Sequence, residues 1–341
     1  MGHASNSGII IAIDAMGGDK APNAVLEGAN IVAEHGNLYP DLKLKIYGNR
    51  NKIDKLVQDL PKLKHVASII HCEQEIPPYE KAANAIRNYK DSSMYLAVHA
   101  VKDKQVHAVV SAGNTVALMA ISTLTLRTLP GIHRPAIITL LPSMRGRIAV
   151  MDLGANIECD ADNLYQFAVM GHAFAKIILG IEEPKIGLLN IGSEEHKGKD
   201  SIKLAKAMIQ GSLIANNFHG YIEGNDIAYG TVDVAVTDGF TGNAILKVIG
   251  GYGAVYKNLI KEAISSSIIS KLKALLMTRE FKTVSQSLDS RYYNGAMFIG
   301  LNGIVVKSHG SMDEIGIANA IKVAYNLAKF NINKQIEAEL S

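Results

Sequence analysis

Val109-Val110-Ser111-Ala112-Gly113-Asn114-Thr115-Val116-Ala117-Leu118-Met119-Ala120 starts as a buried strand, breaks at a small polar turn and resumes as an apolar helix. The turn from Ser111 to Thr115 carries hydroxyls, an amide and little bulk. A helix start exposes unpaired backbone N–H donors and roughly half a positive charge. Such a turn suits a phosphate; the plainer reading is a well-capped helix after a strand. Outward from it the pattern repeats. Ile9 to Ile13 is a continuous apolar run that reads as a buried strand, and Arg147 to Met151, Lys185 to Asn190, Val232 to Val236 and Gly303 to Lys307 read as further strands. Helical stretches alternate with them, so the fold class is α/β, a mostly parallel sheet flanked by helices. Five of the turns that leave strands, at Asp14, Ser111, Asp152, Ile191 and Thr237, are rich in Gly, Asn, Asp, Ser or Thr. Ligands in such sheets bind beyond the carboxyl ends of the strands, and the five together predict one anion-binding site. Val236 to Thr241 echoes Val110 to Thr115: strand, hydroxyl, Gly, Thr, helix.

The bulk numbers narrow the classes. At 341 residues, 48% of them hydrophobic, the chain fills one large α/β domain, placed over residues 8–335. Net charge is +3, from 35 basic against 32 acidic residues, too balanced for a nucleic-acid footprint. Cys72 and Cys159 stand in no metal spacing and read as free thiols of a reducing cytoplasm. The apolar run from Gly8 to Ile13 is too short for a signal or membrane helix, and no other span nears the length of a membrane crossing. Gly17-Gly18 is not the Gly-x-Gly-x-x-Gly of a dinucleotide site. Val255 to Met277 places apolar residues at helical spacing with lysines off the stripe. It reads as a helix, within a protruding helical segment at 252–292, packing on the domain or on a second copy; an interfacial membrane contact is the sharper alternative. The helix after Thr237–Asn243 is expected from Ala244, and the tail after Phe330 is expected to fray.

Taken together, several motifs resemble one family. They are Ile-Asp-Ala-Met-Gly-Gly-Asp (13–19), Ser-Ala-Gly-Asn-Thr (111–115), Arg-Pro-Ala (134–136), Asp-Leu-Gly-Ala-Asn (152–156), Gly-Leu-Leu-Asn-Ile-Gly (187–192) with Lys-Gly (197–198), Val-Thr-Asp-Gly-Phe-Thr-Gly-Asn (236–243) and Lys-Ser-His-Gly-Ser (307–311). In order and over nearly the whole chain, they are similar to bacterial acyl–acyl-carrier-protein:phosphate acyltransferases. The family has Gly where this chain has Val116; inside a helix Val only narrows the approach, whereas at positive φ it would be strained. The resemblance implies a homodimer with a fold related to isopropylmalate dehydrogenases and phosphotransacetylases. It implies conversion of long-chain acyl carrier protein and inorganic phosphate to acyl phosphate for phospholipid synthesis. It also implies a cytosolic enzyme, peripheral at the inner membrane face where a glycerol-3-phosphate acyltransferase is a further partner. No metal or organic cofactor is implied.

The chemistry sets three tasks: hold the phosphate against the carbonyl, stabilise an oxyanion, and let a thiolate leave. Asp14, Gly17, Gly18, Ser111, Gly113, Asn114, Thr115, Asn156, Asp238, Thr241 and Gly242 are assigned to substrate binding. Lys197 is the leading catalytic candidate, a cation between phosphate and carbonyl; in a charged loop it equally reads as a surface lysine. Asn243 would donate its amide to the oxyanion, or cap a helix. His309 is the candidate acid for a thiolate that leaves readily without one. No Gly-x-Ser-x-Gly elbow occurs, which favours direct attack by phosphate over an acyl-serine. The rivals are a short-chain acyl-coenzyme A phosphotransacylase, a metal- and NAD-dependent decarboxylating dehydrogenase, and a non-catalytic membrane scaffold for lipid enzymes.

Overall fold

Alternating apolar positions put each central strand between two layers of helices. In β1 (Ile9–Asp14), Ile11 and Ile13 point into one hydrophobic cluster and Ala12 into another. In β4 (Ala108–Ser111), Ala108 and Val110 face the first and Val109 the second. β11 (Ile304–Lys307) repeats this with Ile304 and Val306 against Val305. The period-two alternation is what a strand dictates. The first face is covered by α1 (Asn23–Glu34) and by α11 (Glu314–Lys329), which pack on one another. The second is covered by α5 (Ser93–Lys102) and α6 (Thr115–Leu126).

The computed structural model describes residues 8–265 and 289–340. The other strands are β2 (Leu42–Gly48), β3 (Ala67–His71), β5 (Ala136–Ser143), β6 (Gly146–Met151), β7 (Ile186–Leu189), β8 (Phe218–Ile222), β9 (Val234–Val236) and β10 (Ala296–Ile299). They form one sheet in the order β3-β2-β1-β4-β11-β10-β5-β6-β9-β7-β8. Pairing is parallel from β3 to β11 and again from β6 to β8. Between them, β11–β10, β10–β5 and β5–β6 are antiparallel. Three reversals in succession leave β6, β9, β7 and β8 running opposite to β1, β4 and β11. The turns after the two sets therefore leave opposite edges of the sheet. The mostly parallel α/β sheet expected from the sequence is present; the single carboxyl edge that a wholly parallel sheet would give is not.

Two local expectations change, and one open alternative is decided. The helix after β9, α10 (Gly239–Ser265), begins at Gly239 and not at Ala244, so Thr241, Gly242 and Asn243 lie in its first turns. The tail does not fray: α12 (Ile332–Leu340) buries Ile332 and Ile336 and packs on α7 (Ala161–Ile178). There Glu339 accepts from His172 at 2.8 Å. Val116 lies in the first turn of α6 without a positive φ, so it is unstrained. Of the expected segment 255–277, residues 266–277 lie outside the described residues, as does most of 252–292; in α10, Val255, Leu259 and Ile260 are exposed. Among the described residues no helix is long and apolar enough to cross a membrane.

Candidate active site

Three strand ends meet in register. Asp14 of β1 pairs with Ser111 of β4, and Ser111 with Lys307 of β11. Asp14, Ser111 and Lys307 follow Ala12, Val109 and Val305 by two residues each. The same alternation puts all three side chains on the α5–α6 face. All are buried. Neighbouring strands lie about 4.8 Å apart, so the side chains can form a circuit. The Ser111 hydroxyl donates to Asp14 at 2.6 Å and accepts the Gly113 N–H at 3.1 Å. The Lys307 ammonium donates to the Gly113 carbonyl. Ser93, at the start of α5, donates to the other oxygen of Asp14 at 2.6 Å, and the Met16 N–H reaches that oxygen at 3.3 Å.

Burial pushes the Asp14 carboxyl up, while the Ser111 and Ser93 hydroxyls, the Met16 N–H and the Lys307 charge pull it back. Burial drives Lys307 the other way, down to about 8, against the attraction of Asp14 and Asp19. Among the described residues no carboxylate lies in ion-pair range of its ammonium. A buried charge without a partner is costly unless something supplies the counter-charge.

The α6 turn sits on this circuit. The Asn114 side chain accepts from the Ala117 N–H at 3.0 Å and donates to the Glu80 carbonyl at 2.8 Å. It caps the helix and ties the turn to the loop before α4 (Ala82–Asn88). The Ser111 hydroxyl is likewise spent. What remains for an anion is the backbone: among the described residues, the N–H groups of Asn114, Thr115 and Val116 have no acceptor, as a helix start leaves them. Thr115 is exposed at this mouth. The loop after β1 closes over it. A Cβ on Gly17 would meet the Gly113 nitrogen at 2.6 Å, and Gly18 has φ +113°. The Asp19 N–H donates to the Gly310 carbonyl at 2.9 Å, which brings the loop after β11 to the same rim. His309 stands there exposed, with Nδ1 2.9 Å from the Ser311 hydroxyl.

The other candidates gather at the opposite edge. Buried Asp152, just past β6, accepts the N–H groups of Ile137, Gly154, Ala155 and Asn156 at 2.7–3.2 Å, and the Asn156 amide at 2.9 Å. That amide also donates to the Pro135 carbonyl at 2.8 Å, so Asn156 clamps the turn. The first turn of α10 is pressed against it: a Cβ on Gly242 would lie 1.9 Å from the Asp152 carbonyl oxygen. Asp238 accepts the Thr241 N–H at 2.8 Å and lies 3.4 Å from Lys199. Asn243 stands over Gly154, and among the described residues no hydrogen bond uses its amide. Lys197 follows β7; its carbonyl accepts from Asn190 and its ammonium lies 2.7 Å from Glu194. The bond from Lys197 holds the Glu194 carboxyl below its usual range. Both ends of that pair are well exposed, so the lysine is easily released.

No hydrogen bond or ion pair among the described residues joins the two groups. Lys307 is the residue of the first group that residue-by-residue reading left unassigned; its signal was a cation closing an apolar strand just before a Ser-His-Gly-Ser turn. A cavity of about 190 Å³ opens near β1 to β3, but its wall sets Glu73 and Glu75 against a single lysine, Lys52, which pairs with Glu75.

A family profile described as "Fatty acid synthesis protein" matches residues 9–335. The "Phosphate acyltransferase" of Paramagnetospirillum magneticum AMB-1 is 45% identical over 334 residues, 98% of this chain and 94% of that protein. The protein of the same name from Rhodospirillum centenum is 47% identical over 331 residues, covering 97% and 92%. A phosphotransacetylase structure from Streptococcus pyogenes aligns over 95% of each chain with a TM-score of 0.64 at 18% identity, a likeness of fold. The chain belongs to the fatty acid synthesis protein family and, with relatives named phosphate acyltransferase, is an acyltransferase of lipid synthesis.

Proposed function

We propose that the chain transfers a long-chain acyl group from its thioester on acyl carrier protein to inorganic phosphate. A phosphate oxygen attacks the carbonyl carbon directly. The tetrahedral oxyanion then expels the thiolate, which takes a proton, leaving acyl phosphate and free carrier protein. The observation that carries this reading is the mouth of α6: unpaired N–H groups stand above a buried cation that has no carboxylate partner. Phosphate supplies the missing counter-charge. Gly17, Gly18, Gly113 and Thr115 shape the seat, with Asp14, Ser111 and Asn114 as its frame. Lys197 and Asn243 meet the acyl carbonyl, with Thr241, Gly242, Asp238 and Asn156 behind them. His309 is the acid at the rim. Positioning and oxyanion donors together supply the barrier reduction, each donor worth about 10²–10³ in rate.

This reading needs both sheet edges in one site, which suits a homodimer in which one copy lends its Lys197 loop to the other's seat. Peripheral membrane contact and hand-over of acyl phosphate to a glycerol-3-phosphate acyltransferase complete it. The test is acyl phosphate formation from palmitoyl-carrier protein and phosphate, with acetyl-coenzyme A as the competing donor. Lys197→Ala is expected to cut kcat at least about 100-fold with the long-chain donor. A rate within about threefold of wild type removes Lys197 from the chemistry. Preference for acetyl-coenzyme A selects the short-chain phosphotransacylase instead.

A further inference from the structure

We infer that Lys307 is the positioning residue of the anion seat: it pins the Gly113 carbonyl so that the backbone N–H groups at the start of α6 face the incoming phosphate. The inference rests on the proposed reaction and adds to it a residue that neither the motifs nor the catalytic candidates assigned.

The geometry has three parts. First, the peptide after Gly113 is held at its carbonyl by the Lys307 ammonium, while the N–H of Gly113 itself is held by the Ser111 hydroxyl. In a trans peptide the carbonyl and the following N–H point in opposite directions. Fixing the carbonyl on the Lys307 side therefore turns the Asn114 N–H toward the helix mouth. Without the lysine this peptide is free to rotate its carbonyl, a negative end, into the seat. Second, the lysine cannot drift. β11 is locked to β4 through Lys307 and Ser111, and the Ser308 N–H donates to the Ser111 carbonyl at 2.9 Å. Only 9% of the residue is exposed. Third, among the described residues no carboxylate lies in ion-pair range of the ammonium, and Asp14 and Asp19 attract it only through space. Asp14 spends its oxygens on Ser93, Ser111 and Met16, and Asp19 acts only from a distance. The groups that α5 and α6 bring closest to the circuit, Ser93, Met94 and Asn114, are neutral. An anion at the N–H groups of Asn114 to Val116 completes the electrostatics that the fold leaves open.

The test is steady-state kinetics on the full chain, varying phosphate and acyl donor separately. Lys307→Met is expected to raise KM for phosphate at least about tenfold, with KM for the acyl donor within about threefold of wild type. Lys307→Arg, which keeps the charge and a donor, is expected to recover most of that loss. Wild-type enzyme gives a second, substitution-free readout. The lysine loses its proton near pH 8, so KM for phosphate should climb between about pH 7 and about pH 9.5 while KM for the acyl donor stays level. Inorganic phosphate completes its own change from monoanion to dianion by about pH 8, so the rise is read above that pH. A phosphate KM that stays flat with pH overturns the inference. So does a folded Lys307→Met enzyme whose phosphate KM lies within about threefold of wild type, or one that loses both substrates equally. A wild-type enzyme that makes no acyl phosphate at all fails the proposed reaction instead, and the two failures are distinct.

Discussion

Gly17 has no side chain to offer phosphate, yet it decides whether the proposed seat exists. Its missing Cβ is what lets the β1–α1 loop rest on Gly113 and Asp14. Gly17→Ala places a methyl 2.5 Å from the Asp14 carboxylate and 2.6 Å from the Gly113 nitrogen, so the turn must shift. A fall in kcat/KM for phosphate of at least about tenfold is expected together with a lowered Tm, since Gly17 is buried and the methyl meets backbone and a buried carboxylate. Lys307 carries a stability signature as well. Its folded pKa, about 8, lies below the 10.5 of an ordinary lysine. Between those values the unfolded chain holds more protons than the folded one, so this group's contribution to stability improves as pH rises. Below about pH 8 its burial cost is present in full. Lys307→Met should therefore compare best with wild type at pH 7 and lose that advantage toward pH 10, read as the difference in Tm. The strand-to-helix turn at Ser111–Thr115 was legible because Gly, Asn and Thr after an apolar run mark such a turn, and Asn114 caps the helix there. Lys307 was harder to read because a lysine at a strand end ordinarily faces water, and only the partnering of three strands shows that it does not.

At the level of elements, α10 and α12 separate what sequence carries from what packing adds. α10 was expected to begin at Ala244, because Gly239 and Gly242 are poor helix formers. In the structure both glycines belong to the helix because it starts in contact with the Asp152 turn, where any side chain would collide. Gly242→Ala is accordingly expected to cost more than about 2 kcal/mol, against the fraction gained by Ala in a free helix, as measured by denaturant unfolding. The tail was expected to fray as chain termini do, and its large apolar residues are Ile332, Ile336 and Leu340. That spacing is nevertheless a full apolar stripe at four-residue intervals, and α7 receives it. Ile336→Ala should destabilise by about 2–4 kcal/mol, whereas a frayed tail would show no change.

The whole sheet shows the one feature that residues alone did not carry. Strand–helix alternation identified the α/β class and the five polar turns. It did not show that β10 and β5 turn the second half of the sheet around, because an apolar run carries no mark of strand direction. The candidate residues consequently divide between two edges. If the edges cooperate through a second copy, mixing denatured Lys197→Ala and Gly17→Ala chains and refolding them together should restore about a quarter of wild-type activity, since half the dimers are mixed and each mixed dimer holds one intact site. Absence of recovery, with each variant dimeric alone, places both groups in the service of a single chain.

The position of β11 has a bearing on how the protein is made. It lies between β4 and β10, so the last of the described strands fills the middle of the sheet. On the ribosome the first four strands emerge long before it, and early-emerging segments begin to fold as they appear. They can pair among themselves, but Ser111 waits for its neighbour until residue 307 has left the tunnel. An incomplete chain thus carries a capped helix and a buried Asp14 but no cation beneath them. The proposed phosphate seat is therefore among the last parts of this sheet to be completed.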